Sequence, residues 1–373
     1  MIAMDKKNKS QPEKKLRTGF TTGTAAAAAA KGAMSLLLSG KAPPDVRIML
    51  LTGESLCIPL HTCELRDEGI AVCTVIKDAG DDPDITHRAE IGAKVTLLGY
   101  PDGKGVNITG GKGVGRVTKP GLEIPPGEPA INTGPRKMIT HAVRQVLETG
   151  NAKPQSVAVE IFVPEGERLA RKTLNARLGI LGGISILGTT GLVRPMSHEA
   201  YIATIESSMS VARAMGIEQV VLTTGRRSER YAQNLLNHLP EEAFIQIGDF
   251  FKSSLDAASD RGFKTVTLAV FFGKAVKMAQ GVPHTHAAKS SLTLNRLSQW
   301  AYDLTGDQDM AQSILDANTA RHAFDLIADK YPAIISHVGE KMIQSARGFA
   351  GQGVSVNGVI FDYTGHVVFD VLG

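Results

Sequence analysis

The chain has 373 residues, enough for two domains and a substantial core. With 43% apolar and 21% charged residues it reads as an ordinary soluble globular protein, and no apolar run is long enough to cross a bilayer as a helix. The net charge of +4 lies in residues 1–17, where Lys6, Lys7, Lys9, Lys14, Lys15 and Arg17 stand against Asp5 and Glu13; the remaining body is formally neutral, which removes any chain-wide argument for nucleic acid.

Residues 1–15 read as a disordered basic leader without the apolar core of a signal peptide. Thr21-Thr22-Gly23-Thr24 then precedes a run of six alanines and a helical stretch to Leu38, with Gly40 as its stop. Strand-like runs follow at 46–51, 56–61, 70–76 and 94–98. Cys57, Cys63 and Cys73 show no CxxC spacing and imply no disulfide framework; they read as core residues on neighbouring strands of a cytoplasmic protein. Residues 100–135 are rich in glycine and proline and too long for a simple connector, which argues for a functional loop or short hairpins. Pro135 suits a first helical position, and Met138, Ile139, Ala142, Val143, Val146 and Leu147 form a helical stripe ending at Gly150. A strand at 157–163 leads to a second glycine-rich stretch, 175–194.

From about residue 197 the pattern alternates. Helices at 198–215, 228–238, 249–261 and 273–280 interleave with strands at 219–223, 244–247 and 265–271, the signature of a parallel sheet. Helices at 290–304, 308–328 and 332–348 follow, then a hairpin, 354–361 and 366–371, turning at Tyr363-Thr364-Gly365. The expected organisation is a leader at 1–15, an α+β domain with glycine-rich loops at 16–195, and a Rossmann-like three-layer α/β domain with a C-terminal hairpin at 196–373.

The densest chemistry is KDAGDDPDITH, residues 77–87. Asp78, Asp81, Asp82 and Asp84 are broken by Gly80 and Pro83, a composition that suits an ordered loop. It is either a solvated, ion-paired turn, with Lys77 or Arg88 as partner, or part of an active site. Gly110–Gly115 is not GxGxxG, and no GxxxxGK[ST] occurs, so a triphosphate-binding P-loop is not supported. It reads as a hairpin tip or as backbone that approaches a ligand. Gly182-Gly183 and Gly188-Thr189-Thr190-Gly191 flank an apolar run, and Thr223-Thr224-Gly225-Arg226-Arg227 ends a strand. Both resemble the strand-to-turn geometry at which α/β sheets bind ligands. His284-Thr285-His286 lacks a third ligand at suggestive spacing, so no protein metal site is expected; the alternatives are a hydrogen-bonded loop or one imidazole working on a substrate.

Five of these segments, 16–33, 77–87, 110–132, 175–197 and 284–290, together resemble the CbiD family, in the right order and from residue 16 to the end of the sequence. The resemblance implies S-adenosylmethionine-dependent methylation of C-1 of cobalt-precorrin-5B, giving cobalt-precorrin-6A in oxygen-independent cobalamin synthesis. The family commonly carries Cys after its TTG-[ST] segment; here Ala25 stands there, so no thiol role applies. The expected catalytic residues are Asp81, Asp82, His284 and His286. Cofactor binding is expected at Gly188, Thr189, Thr190, Gly191, Thr223, Thr224 and Gly225. Substrate binding is expected at Thr21, Thr22, Gly23 and Thr24, whose helix-start N–H groups suit carboxylates, and at Gly111, Gly113 and Arg136. Arg17, Lys112, Arg116 and Lys119 are further candidate partners for a carboxylate-fringed macrocycle. Neither nucleic acid nor membrane is expected as a partner, and homo-oligomerisation is left open. The competing readings are a non-catalytic tetrapyrrole carrier, a nucleotide-binding regulator, and an NAD-dependent dehydrogenase, the last weakened by the missing GxGxxG.

Overall fold

The computed structural model describes residues 16–98, 105–149, 156–286 and 290–372; the basic leader, Gly150 and positions 287–289 of the last motif lie outside them. The described residues form a mixed α/β protein with eleven α-helices. They divide into two compact units, one of residues up to 117 with 127–176 and 180–197, the other of 118–126, 177–179 and 198 onward.

The first unit contains β1 (Gly19–Phe20), α1 (Thr22–Ser39), β2 (Asp45–Met49), β3 (Ser55–Pro59), β4 (Thr62–Asp67), β5 (Ile70–Ile76), β6 (Glu90–Leu98), β7 (Val106–Gly110), β8 (Gly113–Val114), β9 (Arg116–Val117), α2 (Thr133–Thr149), β10 (Ser156–Phe162), α3 (Gly166–Ala170), β11 (Ile180–Leu181), β12 (Gly183–Ile184) and β13 (Leu192–Val193). Its main sheet runs β4-β5-β6-β10-β7, antiparallel except for the β10–β7 pair. The alanine run explains how α1 sits: Ala25 to Ala30 are fully buried, between the β5–β6 surface and α2. Alanine is the best helix former and its small side chain lets a neighbour approach closely on every side, so this helix is buried nearly all round. A large residue at Ala27 would overpack the layer, at about 1–3 kcal/mol. Gly40 ends α1 at φ 67°, donating to the Leu36 carbonyl.

Two features of this unit were not read from the sequence. β4 is an edge strand whose residues, TCELRD, are mostly exposed, so no apolar alternation marks it. Cys63 and Cys73 are cross-strand partners on β4 and β5, and their sulfurs face each other across the pair, a proximity that the sequence reading did not foresee. The single register that pairs these strands also brings the two side chains together; neither spacing nor composition carried that information.

The second unit contains α4 (His198–Ala214), β14 (Gln219–Thr223), α5 (Arg226–Leu235), β15 (Phe244–Gln246), α6 (Phe251–Asp260), β16 (Thr265–Phe271), α7 (Phe272–Ala279), α8 (Ser290–Thr305), α9 (Gln308–Leu315), α10 (Ala320–Ile327), α11 (Pro332–Ala350), β17 (Ser355–Phe361) and β18 (Val367–Val371). The sheet order is β15-β14-β16-β17-β18, with the first four strands parallel and β18 antiparallel. Alternate residues divide the sheet's two faces. Val220, Leu222, Val266, Leu268, Val270, Val356 and Ile360 join the large core built with α4, α6, α7 and α11. Val221, Phe244, Ala269, Val359 and Phe361 pack on the opposite face with Ala232 and Leu236 of the α5 segment. The helix expected over 308–328 is two helices, because Thr319 caps α10 by accepting from the His322 N–H.

Candidate active site

The first cluster of motif residues surrounds the start of α1. Thr21 caps the helix, its Oγ1 accepting from the Thr24 N–H at 3.2 Å. A loop of residues 185–193 is laced onto this end. Gly23 N–H donates to the Leu187 carbonyl and Thr21 N–H to the Gly191 carbonyl. Thr22 Oγ1 accepts from Leu187 N–H at 2.9 Å, and Thr24 Oγ1 donates to the Gly191 carbonyl at 2.7 Å. β1 pairs with β13 to close the arrangement. Thr21 to Thr24 are all buried. The N–H groups of Gly23 and Thr24, expected to meet substrate carboxylates, are thus bonded within the protein. Gly188 is required here: at φ 142°, its Cβ would lie 2.5 Å from Thr21 Oγ1. Thr189 and Thr190 stand exposed on the same loop, beside half-buried Gly188 and buried Gly191.

The acidic loop adjoins this cluster. Phe20 N–H donates to the Asp78 carbonyl, and Gly80 forms a bridge with Thr18. Asp78 pairs with the Arg17 guanidinium and accepts from Gly80 N–H; these contacts, led by Arg17, hold its carboxyl at about 2. The Asp84 carboxylate meets the buried Lys77 ammonium at 2.6 Å and accepts from the Thr86 N–H and hydroxyl. Burial pushes Asp84 up, but Lys77 and Thr86 outweigh it, and its net direction is down. Lys77, one of the two ion partners weighed from sequence, is therefore engaged. Asp81 accepts from Arg17 N–H at 2.7 Å and is exposed; Asp82 accepts from Met196 N–H at 3.0 Å and is half-exposed.

The glycine-rich stretch is explained mainly by backbone packing. β8 and β12 pair through Gly113 and Gly183, and a Cβ on Gly183 would lie 2.1 Å from the Gly113 carbonyl oxygen. Gly113 is buried at φ 73°, with no room for a Cβ beside the Val163 carbonyl. Gly111 N–H donates to the Ile161 carbonyl at 2.7 Å. Arg136 donates to the Ile131 and Ile108 carbonyls, Arg116 to Gly127, and Lys119 pairs with Glu242 at 2.6 Å. Lys112 is exposed.

In the second unit, a polar and aromatic cluster lies beyond the carboxyl ends of β15 and β16. Asp249 pairs with Lys274 and accepts from the Thr285 hydroxyl at 3.2 Å; Thr285 N–H returns to the Asp249 carbonyl. Lys277 donates to the Thr285 and His286 carbonyls. These bonds pin the HTH segment. The His284 ring stacks on His198 at 5.1 Å and meets Phe250 edge-on at 4.8 Å, while Tyr201 stacks on Phe250 at 5.1 Å. His284 Nε2 is buried without a partner, and burial is the first cause of the ring's lowered pKa, with Asp249 opposing. His286 is exposed and its ring centre is 6.3 Å from that of His284. At the end of β14, Thr223 is buried, Thr224 and Gly225 are half-exposed, and a Cβ on Gly225 would meet nothing within 4 Å.

A family model described as CbiD matches residues 9–195, and one described as CbiD, C-terminal domain, matches 284–371. The chain belongs to the CbiD family. A CbiD relative from Salinispora arenicola, named cobalt-precorrin-5B C(1)-methyltransferase, is 44% identical over 94% of this chain and 91% of its own length. Relatives with the same name from Pelobacter propionicus and Priestia megaterium are 43% and 44% identical, covering 98% and 94% of this chain and 98% and 95% of theirs. A crystal structure of the cobalamin biosynthesis protein CbiD from Archaeoglobus fulgidus is 27% identical, covers 69% of this chain and 78% of that one, and has a TM-score of 0.39.

The geometry of this CbiD chain brings 16–24, 77–88 and 185–196 together in the first unit, and places the HTH segment in the second. Sequence reasoning missed Asp249, Lys274, His198 and Tyr201. Asp249 and Lys274 each follow closely on a strand of the parallel sheet, Asp249 just beyond β15 and Lys274 in the first turn of α7. The position after a strand was the available signal.

Proposed function

We propose that this chain transfers a methyl group from S-adenosylmethionine to C-1 of cobalt-precorrin-5B, giving cobalt-precorrin-6A. The observation that carries the reading is 43–44% identity, over nearly the whole length, to relatives named for that C(1)-methyltransferase activity. No feature of the sequence or fold favours the carrier reading over it. The second unit is read as Rossmann-like. Its strand order reverses direction of growth between β14 and β16, and open α/β sheets bind ligands at such a switch point, outside the carboxyl ends.

The residues there suit a sulfonium nucleoside. The open space over Gly225 admits close backbone approach, exposed Arg226 suits a carboxylate, and exposed Tyr201 offers an aromatic face. Thr224 and Gly225, which follow buried Thr223 at the end of β14, would hold the donor, which when bound supplies an already activated methyl group. The ring carbon contributes the electron pair, the carbon–sulfur bond breaks, and a thioether leaves, so no enzyme nucleophile is required. The task of the protein is then orientation and exclusion of water, worth up to about 7–11 kcal/mol in well-ordered sites. Asp249, Lys274 and Thr285 fix the segment carrying His284, whose uncharged ring accepts a proton where the substrate must lose one. In the first unit, Asp81 and Asp82 are assigned to the active site, together with Thr189 and Thr190, which stand exposed on the loop that carries Gly188 and Gly191. Cobalt belongs to the substrate. Among the described residues, no helix is long and apolar enough to cross a membrane.

The test is anaerobic incubation of purified protein with cobalt-precorrin-5B and S-adenosylmethionine labelled in the methyl group. Label at ring C-1, with equimolar S-adenosylhomocysteine, is expected. Binding of the corrinoid without label transfer would return the protein to the carrier class.

A further inference from the structure

The outer face of α2 carries chemistry that the reading above does not use. Thr133, Arg136, Lys137, Thr140, His141 and Arg144 line a concavity of about 380 Å³. Their spacing is that of one helical face over three turns, about 16 Å long, and the opposite face, Met138, Ile139, Ala142, Val143 and Val146, is buried in the core. Three permanent cations and an imidazole therefore share one shallow groove. No carboxylate lines it, and the first turn of α2 holds no acidic residue. Arg136 is held in place by its bonds to the Ile131 and Ile108 carbonyls. A guanidinium fixed in this way loses less freedom when it pairs with an anion.

The groove also begins at the motif cluster. Gly134, in the first turn of α2, packs so tightly that its Cβ would lie 2.9 Å from the Gly188 carbonyl oxygen, and Gly23 of α1 lies against Pro135. The cationic face thus starts where the Gly188–Gly191 loop meets the start of α1, within the same unit.

We infer that this face of α2 is the recognition site for the carboxylate fringe of the macrocycle, with Lys137 and Arg144 as binding residues and Arg136 as a fixed anchor. The inference rests on the proposed substrate and deepens it. Charge-assisted bonds to several carboxylates at once would give affinity and would select polyacid macrocycles over esterified or alkylated ones. Lys137 and Arg144 are exposed, so their replacement spares the fold.

The experiment uses the full chain and the double variant Lys137→Gln/Arg144→Gln. In turnover, KM for the corrin substrate is expected to rise at least tenfold with kcat within twofold, and the dependence of KM on salt to flatten. In a separate fluorescence titration the probe is uroporphyrin, an octacarboxylate porphyrin. Its affinity is expected to fall at least tenfold, with S-adenosylhomocysteine affinity unchanged. An unchanged uroporphyrin affinity overturns the inference. So does an equal loss for a carboxylate-free porphyrin, or wild-type binding of a single-stranded oligonucleotide tighter than of uroporphyrin. If wild type shows no methyl transfer, the proposed reaction fails, whereas the titration still decides the carboxylate site.

Discussion

Asp82 Oδ1 accepts a 3.0 Å hydrogen bond from the backbone N–H of Met196, a non-glycine residue held at φ 55°. The left-handed region costs a side-chain-bearing residue about 1–3 kcal/mol and persists only where neighbours enforce it. Here one such neighbour is a carboxylate of the acidic loop. The Met196 side chain, 75% exposed, is the most exposed large hydrophobic of the described residues.

That relationship separates two roles for the loop. Asn at position 82 keeps an acceptor oxygen for Met196 and removes the charge. Asp82→Asn and Asp81→Asn should melt like wild type but lose at least tenfold in turnover, about 1.4 kcal/mol, because both carboxylates are assigned to the active site. Asp82→Ala should also lose stability, by about 1 kcal/mol, and Met196→Gly should recover part of it by relieving the backbone. Full turnover in both Asn variants would make the loop a scaffold.

Gly113 and Gly188 give a prediction about folding. Both have positive φ, and an added Cβ would clash with the Val163 carbonyl at one and with Thr21 at the other. Gly113→Val and Gly188→Val should each destabilise by about 3 kcal/mol or more and lower expression, with no selective effect on one ligand. Thermal melting is the measurement. A Gly113→Val protein that melts normally and merely binds substrate weakly would restore the direct ligand role.

Gly225 is the opposite case. Its φ of 168° is extended backbone open to any residue, and an added Cβ meets nothing. Gly225→Val should therefore fold normally. Calorimetry with S-adenosylhomocysteine should show at least a tenfold loss of affinity, because the side chain fills space assigned to the donor. Retained affinity would move the donor site away from the end of β14.

Much of the second unit was legible in the sequence. The bounds of β14 and β16 match their apolar runs, since buried parallel strands are continuous apolar stretches. The Thr319 cap within 308–328 leaves little mark on the sequence pattern, because apolar periodicity resumes at once on either side of it. In the first unit the signals were ambiguous. Alanines 25–30 announced a closely packed helix, but not what covers its start. The glycines at 110–115 and 182–183 are identical in composition to a ligand-binding loop, and only the pairing of β8 with β12 reveals that one backbone needs the other's missing side chains. The acidic loop was legible as a loop. Asp84 finds Lys77 and Thr86 within the loop itself, whereas Asp78, Asp81 and Asp82 are bonded by Arg17 and Met196, neighbours that local sequence does not encode.

Asp362 sets an acid limb on stability. It lies in the turn between β17 and β18. Burial pushes its carboxyl up, but the Thr364 hydroxyl and the N–H groups of His366, Thr364 and Gly365 prevail and hold it at about 2. A folded-state pKa below the unfolded value of about 3.9 contributes stability above pH 4 that is lost as pH falls from about 4 towards 2. Solvent screening limits this contribution to the order of 1 kcal/mol. Asp362→Asn should flatten that part of the stability profile in denaturant titrations at pH 2.5 to 5 and leave the region above pH 5 parallel to wild type. An unaltered acid limb would show that the turn is not the titrating element.

His284 gives the last prediction. Its ring lies against His198 and Phe250 with Nε2 buried and unpartnered, and burial lowers its pKa below 6.5. The folded state thus binds fewer protons here than the unfolded state. Stability from this site is present above about pH 6.5 and declines as pH falls below it. A ring kept neutral near pH 7, with one nitrogen unsatisfied, is suited to accept a proton or a substrate hydrogen bond. His284→Phe fills the same space without that nitrogen. It should match or exceed wild-type stability below pH 6, since no buried ring must then be charged, and should lose at least tenfold in kcat at pH 7. His286→Ala, at an exposed ring, should change kcat less. Absorption spectra of a bound cobalt corrinoid, compared across wild type and both variants, distinguish a proton-transfer role from direct contact with cobalt: only the latter shifts the bands. If kcat is unchanged from pH 6 to 8 in His284→Phe and the spectra coincide, the unpartnered nitrogen has no part in the reaction.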